Sequence, residues 1–403
     1  MKNLLPVILL FLGFSSCREA APKPQLPDTL LLDNTYLAQV KTRLENNDST
    51  LIPAYDTLLK EADNALKKGP YSVTDKKRLA PSGNKNDYAS YSRYWWPDPD
   101  QADGLPYIRK DGETNPSSQN LDASDRPRIG ALARTTQSLG LAYYFTGDEQ
   151  YAAKVAELIE TWFLNEDTKM NPNVNHAQCR PGHNTGSKSG ILDGRLLVPA
   201  LEAARLIKAS NQLNNDQYVA LKDWASDYFN WLTTNEMALE EAQSKNNHGS
   251  YYDAQALYFA LYSENQAAAT TIAEQFFEQR VSAQIEDDGS MPEEMARTRP
   301  LFYSIYNLHA MFLVAKMSEH VDVNNWGHDN QLRGALDHLA PYADSTKKWP
   351  TTTLGKTDRM ALYPLLLMAQ DVYPDGNYAD FTQQLPAKER QQHLANLCLL
   401  FMR

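Results

Sequence analysis

From about residue 34 onward, apolar residues recur at three- and four-residue spacing in segment after segment, and clean period-two alternation is scarce. The pattern predicts helices over 36–47, 54–67, 128–145, 148–164, 193–209, 216–233, 250–262, 265–282, 302–319, 330–342, 358–371 and 386–401. Asp148, just ahead of the run EQYAAKVAELIETWF, is placed to cap the fourth of these. The connections are short and polar, as at Thr146-Gly147-Asp148, so successive helices are expected to fold back as antiparallel pairs. No motif recurs at a solenoid's fixed period, which favours a closed ring of helical hairpins over an open superhelix. The expected fold class is therefore all-α, an (α/α) toroid formed by residues 32–403 as one domain. Two stretches interrupt the pattern: 80–124, rich in Tyr, Trp, Pro, Asp and Asn, and 165–192, rich in Asn, Gly and His. Loops of that length in a compact domain usually carry function.

The first sixteen residues follow a different logic. A cationic start and an apolar run, LLPVILLFLGF, have the layout of a secretory signal and are too short for a membrane span. Phe14-Ser15-Ser16-Cys17 resembles a bacterial lipoprotein cleavage and acylation site, so residues 1–16 are expected to be removed, Cys17 to be lipidated and 17–31 to serve as a tether. The protein would then be exported and held at a membrane only by its lipid, in the periplasm or at the outer membrane. Only Cys179 and Cys398 would remain, too few for a disulfide framework, so the fold must rest on its hydrophobic core.

Charge narrows the partners. A formal net charge of -11 argues against a nucleic-acid binder, which needs a basic face to displace phosphate counterions. It leaves room for an anionic ligand in a cleft where a few Arg, Lys and His gather. In the first long loop, Tyr88, Tyr91, Arg93, Tyr94, Trp95 and Trp96 lie close together ahead of Pro97, suited either to stack sugar rings with Arg93 meeting a carboxylate or to plug one end of the ring. In the second, Asn175, His176, Gln178, Arg180 and Lys188 offer hydrogen-bonding groups and cations; His176, Cys179 and His183 lack the fourth soft ligand of a zinc site. Further on, Asn246-Asn247-His248-Gly249 opens a helix and is followed by Tyr251: amides and an imidazole at a helix N-terminus form a donor cluster for an anion, beside a glycine that admits close approach. Last come Glu294, Arg297, Arg299, Tyr303 and Tyr306, with Pro300 interrupting the segment. A Tyr beside an Arg is expected to titrate lower than usual, and a phenol can then accept and donate a proton.

Taken together, Tyr94-Trp95-Trp96-Pro97-Asp98-Pro99, the Met170-Asn-Pro-Asn loop, Asn246-Asn247-His248-Gly249-Ser250 and Glu294-Met-Ala-Arg297-Thr-Arg299 followed by Tyr303 resemble the alginate lyase superfamily, and most of all polysaccharide lyase families 5 and 38. The similarity spans roughly residues 85–330. Members are α/α toroids that cleave 4-linked polyuronates by β-elimination. The resemblance implies that Asn247 is a carboxylate-neutralising amide, His248 the catalytic imidazole, Arg297 the motif arginine and Tyr303 the catalytic tyrosine. Family 5 has one more residue between that Arg and that Tyr. The shorter spacing points to family 38 and leaves open whether Tyr303 or Tyr306 reaches the scissile bond. Arg93, Tyr94, Trp95, Trp96, Asn175, His176, Gln178, Arg180, Lys188, Tyr251, Arg299 and Tyr306 are then the candidate substrate-binding set. No metal and no cofactor are required, because side chains can neutralise the carboxylate; an accessory ion stays open, as do the oligomeric state and the choice among mannuronate, guluronate and glucuronate.

Two other classes compete. A glycoside hydrolase needs an acid and base carboxylate pair, for which Asp193, Asp253, Glu293 and Glu294 are available, although adjacent Glu293 and Glu294 point different ways on a helix. A non-catalytic glycan-binding lipoprotein explains the aromatics and the anchor but has no need of Asn247, His248, Arg297 and Tyr303 together.

Overall fold

The computed structural model describes residues 26–327, 330–355 and 358–387. The signal peptide, Cys17 and nearly all of the helix expected at 386–401 lie outside the described residues. The chain forms α1 (Asn34–Glu45), α2 (Ile52–Ala65), α3 (Arg126–Thr146), α4 (Glu149–Ile159), α5 (Ile191–Gly194), α6 (Val198–Leu206), α7 (Asn215–Thr234) and α8 (Glu236–Ala242). It continues with α9 (Asn247–Tyr262), α10 (Gln266–Phe276), α11 (Ser282–Gln284), α12 (Pro292–Met295), α13 (Pro300–Ser318), α14 (Gln331–Leu339), α15 (Tyr363–Val372) and α16 (Tyr378–Gln384). The eleven sequence-predicted helices within the described residues all have counterparts; α8, α12 and α16 are too short to carry a visible apolar period.

Local chemistry explains the boundaries. Gly147 takes φ 72° to end α3, and the Asp148 carboxylate then accepts from the Gln150 N–H at 3.0 Å to open α4. Pro300 does not break the segment between Arg297 and Tyr303. It begins α13, where its missing N–H costs no hydrogen bond, and so sets Tyr303 in the first turn of a helix.

Packing runs from α2 to α3, from α3 to α4 and α6, from α7 to α9, from α9 to α10 and α13, and from α13 to α14. This is an α/α toroid. Every residue of α9 except His248 is buried, as expected of a helix without a polar stripe. One apolar cluster runs from Leu30 to Leu385 and joins these helices.

The N-terminal ends of α3, α9 and α13 meet at one pole. At the other, a strap of residues 28–33 is pinned: Glu202 accepts from the Leu30 and Leu31 N–H groups at 3.2 and 3.0 Å and from Tyr258, while Asp28 pairs with Arg205 and Asp33 with Lys316. The two long loops converge on the first pole. Residues Ala89–Tyr91 (β1) and His176–Cys179 (β4) form a short parallel ladder, and Trp95–Trp96 (β2) pairs antiparallel with Ile108–Arg109 (β3). A buried ion pair holds the loop region in place. Lys76 meets Asp125 at 3.1 Å and donates to the carbonyls of Val73, Lys85 and Asp87.

Candidate active site

A cleft of about 600 Å³ opens at the pole where these helix ends and loops meet. Eight basic residues line it, Arg93, Arg109, Arg126, Arg180, Lys188, Arg195, Lys245 and Arg297, against three acidic ones, Asp193, Glu241 and Glu293. An acidic protein has thus gathered its cations around one concavity, which concentrates anionic ligands there.

Asn247, His248, Arg297 and Tyr303 all border this cleft. Asn246 caps α9, its side-chain oxygen accepting from the His248 N–H at 3.1 Å, so Asn247 and His248 start the helix in fixed positions. Gly249 serves this turn and not a ligand: a Cβ there would collide with the Ser244 carbonyl, and the buried Arg280 guanidinium lies beside it. Arg280 in turn donates to the Ala242 carbonyl at 2.7 Å and pairs with Asp253 at 2.9 Å, clamping the end of α8 to α9. His248 Nδ1 bonds the buried carboxylate of Glu241, which leaves Nε2 for the cleft. Asn247 is bound on its inner side by Glu294, at 2.9 Å from Nδ2 to both carboxyl oxygens.

Arg297 lies flat on the Tyr303 ring, 3.8 Å from its centroid, and is held by Asp111 at 2.9 and 3.3 Å. Burial acts to raise the Asp111 carboxyl, but the Arg297 guanidinium outweighs it and holds that group down to about 2. The Tyr303 hydroxyl donates to the Tyr94 hydroxyl at 3.1 Å. The expectation of a lowered phenol is not met. Burial and the bond to Tyr94 push Tyr303 above its ordinary value, and Arg297, facing the ring and already paired with Asp111, pulls down too weakly to reverse this.

Of the expected substrate-binding residues, Arg93, Tyr94, Trp95, Gln178, Arg180, Lys188 and Tyr306 line the cleft. Arg180 stacks on Trp95 at 4.9 Å. The other five do not line it. Asn175 accepts from Trp231 and Asn235, His176 sits in β4 near Asp87, and Trp96 stacks under Lys110. Tyr251 is buried against His309, which burial and Arg195 drive down to about 4, and Arg299 covers Phe302. The aromatic loop both plugs and lines: Tyr88 is fully buried while Tyr94 and Trp95 face the cleft. His183 goes to the Tyr107 carbonyl and Cys179 to that of Asn184, so the histidines and the thiol of the second loop do not converge.

Sequence reasoning missed Glu241, Asp111, Arg126 and Arg195. Asp111 meets Arg297 across 186 positions, and no local pattern signals such a contact. Arg195 lies beside the paired rings of Tyr251 and Tyr306, 5.4 and 5.6 Å from their centroids, and Arg126 is held by buried Asp193 at 3.1 Å. Of the four acids weighed for hydrolysis, three are otherwise engaged: Asp193 accepts from Tyr88 and Ser90, Asp253 pairs with Arg280 and Glu294 holds Asn247, which leaves Glu293 exposed at the cleft without a second free carboxylate from that set.

Such a cleft accepts an acidic sugar polymer, and an amide, a guanidinium, an imidazole and a phenol converging without an acid and base carboxylate pair suit elimination rather than hydrolysis. Fold and site together define a polysaccharide lyase. Residues 72–349 match the family described as alginate lyase, and the chain belongs to that family. Among solved structures it is similar to an alginate lyase from Bacteroides ovatus, with 36% identity, a TM-score of 0.87, and 93% of this chain and 99% of that one covered. It also shares its fold with alginate lyase A1-III from Sphingomonas species A1, at 15% identity and a TM-score of 0.57, with 96% and 100% covered. A search of the curated proteins finds no match.

Proposed function

We propose that the protein depolymerises alginate or a closely related 4-linked polyuronate by β-elimination in this cleft. The observation that carries the reading is the convergence of Asn247, His248, Arg297 and Tyr303 on one wall of a basic concavity in a chain of net charge -11. The C5 proton of a uronate is acidified only by its carboxylate, a poor electron sink while charged. Asn247, His248 and Arg297 neutralise that group and stabilise the enolate-like intermediate. The C5–H bond breaks, its electron pair forms the C4=C5 double bond, the C4–O4 bond breaks and O4 takes a proton. Tyr303, kept neutral in the free enzyme, is the acid that protonates O4. When C5–H and O4 lie on the same face, Tyr303 also serves as base, as the phenolate left when its proton passes to the Tyr94 hydroxyl and Tyr94 releases its own proton to solvent in the cleft; the proton then taken from C5 is the one given to O4. When they lie on opposite faces, His248 Nε2 is the base. The test is ultraviolet absorbance of the conjugated product with polymannuronate, polyguluronate and glucuronan offered separately. A rise on one polymer supports elimination and names the preferred uronate, whereas new reducing ends without absorbance mean hydrolysis.

The enzyme is further proposed to be an exported lipoprotein acylated at Cys17. The strap, which includes the last residues of the expected tether, is pinned near Tyr258 and Lys316, ten residues beyond His248 and Tyr306 along α9 and α13, or about 15 Å along the helix axes. An anchored molecule therefore presents its cleft away from the membrane. Fatty-acid labelling that survives Cys17→Ser would sink this reading.

A further inference from the structure

Glu294 is the most deeply buried acid beside the cleft, with no exposed surface, and no cation lies within ion-pair distance of it among the described residues. The hydrogen bonds of its carboxyl group all go to one neighbour. Oε1 accepts the Asn247 backbone N–H at 2.5 Å, and both carboxyl oxygens stand 2.9 Å from Asn247 Nδ2. An ionised carboxylate in that position draws the amide nitrogen inward and leaves Oδ1, an acceptor, to face a substrate carboxylate. That orientation repels the ligand which Asn247 is there to neutralise. Either end of a side-chain amide fits the same volume, so the group it bonds decides which end faces out.

Resting on the lyase reading above, we propose that Glu294 is a positioning residue which, as the neutral acid, donates its proton to Asn247 Oδ1 and so turns the Asn247 N–H groups toward the substrate carboxylate. Oε1 keeps the backbone N–H while the protonated oxygen bonds Oδ1, and all partners are satisfied. Burial raises the Glu294 carboxyl above its ordinary value, against the pull of Asn247, Arg297 and His248. The charged groups around it agree with this. Arg297, on the same segment, is already paired with Asp111 and lies over Tyr303; His248, from α9, is bonded to Glu241; Glu293 is exposed at the cleft and adds no positive charge. A bound uronate adds a further negative charge opposite Asn247 and favours the neutral acid still more.

The experiment compares Glu294→Gln and Glu294→Ala with the wild type across a pH series, on the polymer the wild type cleaves, after circular dichroism and thermal melting have verified the fold. Absence of wild-type cleavage on every polyuronate counts against the lyase reading itself and is thereby separated from this test. A glutamine keeps the acceptor for the backbone N–H and a donor for Oδ1, so Glu294→Gln should recover to within about tenfold of the wild-type kcat, while Glu294→Ala should lose about 100-fold, the cost of one misdirected donor at a developing charge. The wild-type kcat/KM should fall as pH rises through the Glu294 titration, and Glu294→Gln should lack that fall. Equal losses in both variants, or an unchanged pH profile in Glu294→Gln, overturn the proposal. A measurement at Glu294 itself needs no variant there: in the Tyr303→Phe background, the infrared difference spectrum with oligouronate bound should contain a protonated-carboxyl carbonyl band, and its absence also overturns it.

Discussion

The two walls of the cleft are built by different means. One is made of helix ends: α9 supplies Asn247 and His248, α13 supplies Tyr303, and the buried carboxyl groups of Glu294 and Glu241 stand behind the first two. The other is made of the loops 80–124 and 165–192, whose Arg93, Trp95, Arg180 and Lys188 reach solvent at the rim. Helix ends fix a side chain through its backbone and its packing, which suits groups that need to meet a transition state within a fraction of an ångström. Loops stapled at a few points suit groups that only hold a charged polymer. Apart from Tyr94, which serves Tyr303 from the loop side, the comparison assigns chemistry to the first wall and capture to the second, and variants on each side should separate kcat from KM.

The largest effect belongs to the helix wall. Tyr303→Phe removes the proton donor to O4 and the bond to Tyr94 while keeping the ring under Arg297, so kcat should fall by about 1,000-fold or more with binding retained. Initial rates of enoate formation and calorimetry with oligouronate measure the two halves; a variant with near wild-type turnover would remove Tyr303 from the mechanism and bring Tyr306 forward.

Next in size is the staple of the loop wall. Lys76 and Asp125 have side chains 1% and 0% exposed, and deleting one partner of such a pair leaves an uncompensated buried charge. Lys76→Met should cost about 3–5 kcal/mol in chemical denaturation. If the walls are independent in the way proposed, the surviving folded fraction should lose affinity before it loses kcat.

Asp111 bridges the walls, from the loop side to Arg297 and Thr298 on the helix side. Its carboxyl, held down to about 2, is depressed below the ordinary value of 3.8. A depressed acid contributes its stability above the unfolded value and loses it as pH falls through the folded one. The bridge should therefore persist at every pH above about 4 and fail only toward pH 2. Asp111→Asn should lower kcat/KM by about tenfold at neutral pH, since an amide cannot return both oxygens to the guanidinium. A loss confined to acid pH would contradict the linkage.

How much of this was legible in the sequence follows the same division. The helices follow from apolar spacing, and the resemblance places Asn247, His248, Arg297 and Tyr303 where the structure brings them together, because the motifs sit on helix starts with local signatures: Asn246 as cap, Pro300 at the first position of α13. The residues behind them were not legible. Glu241 bonds His248 across a break between two helices and Asp111 bonds Arg297 from the far side of the cleft, and neither contact has a period or spacing that marks it. On the loop wall, composition singled out the right stretches but not the right side chains. Asn175 and His176 lie in the same segment as Gln178 and Arg180, yet the β1–β4 ladder and the contacts to Trp231 and Asn235 turn them into the body of the protein. In the same way, the raised Tyr303 phenol depends on burial, which its distance in sequence from Arg297 could not reveal.

The smallest effect should come from the rim. Arg180 stacks on Trp95 and donates to Ser189 at 3.0 Å, and it borders the cleft without touching the helix-wall groups Asn247, His248 or Tyr303. Arg180→Ala therefore removes a cation that attracts the polymer and a flat partner that keeps the Trp95 ring in place, but no group that bears charge in the transition state. Uniform binding of this kind raises KM and leaves kcat nearly unchanged. The expected change is about fivefold in KM at low ionic strength, shrinking as salt is added because a partly exposed charge is screened. Steady-state kinetics at two salt concentrations measure it. A kcat loss of the same size, insensitive to salt, would show that the loop wall also shapes the transition state and that the two walls act as one.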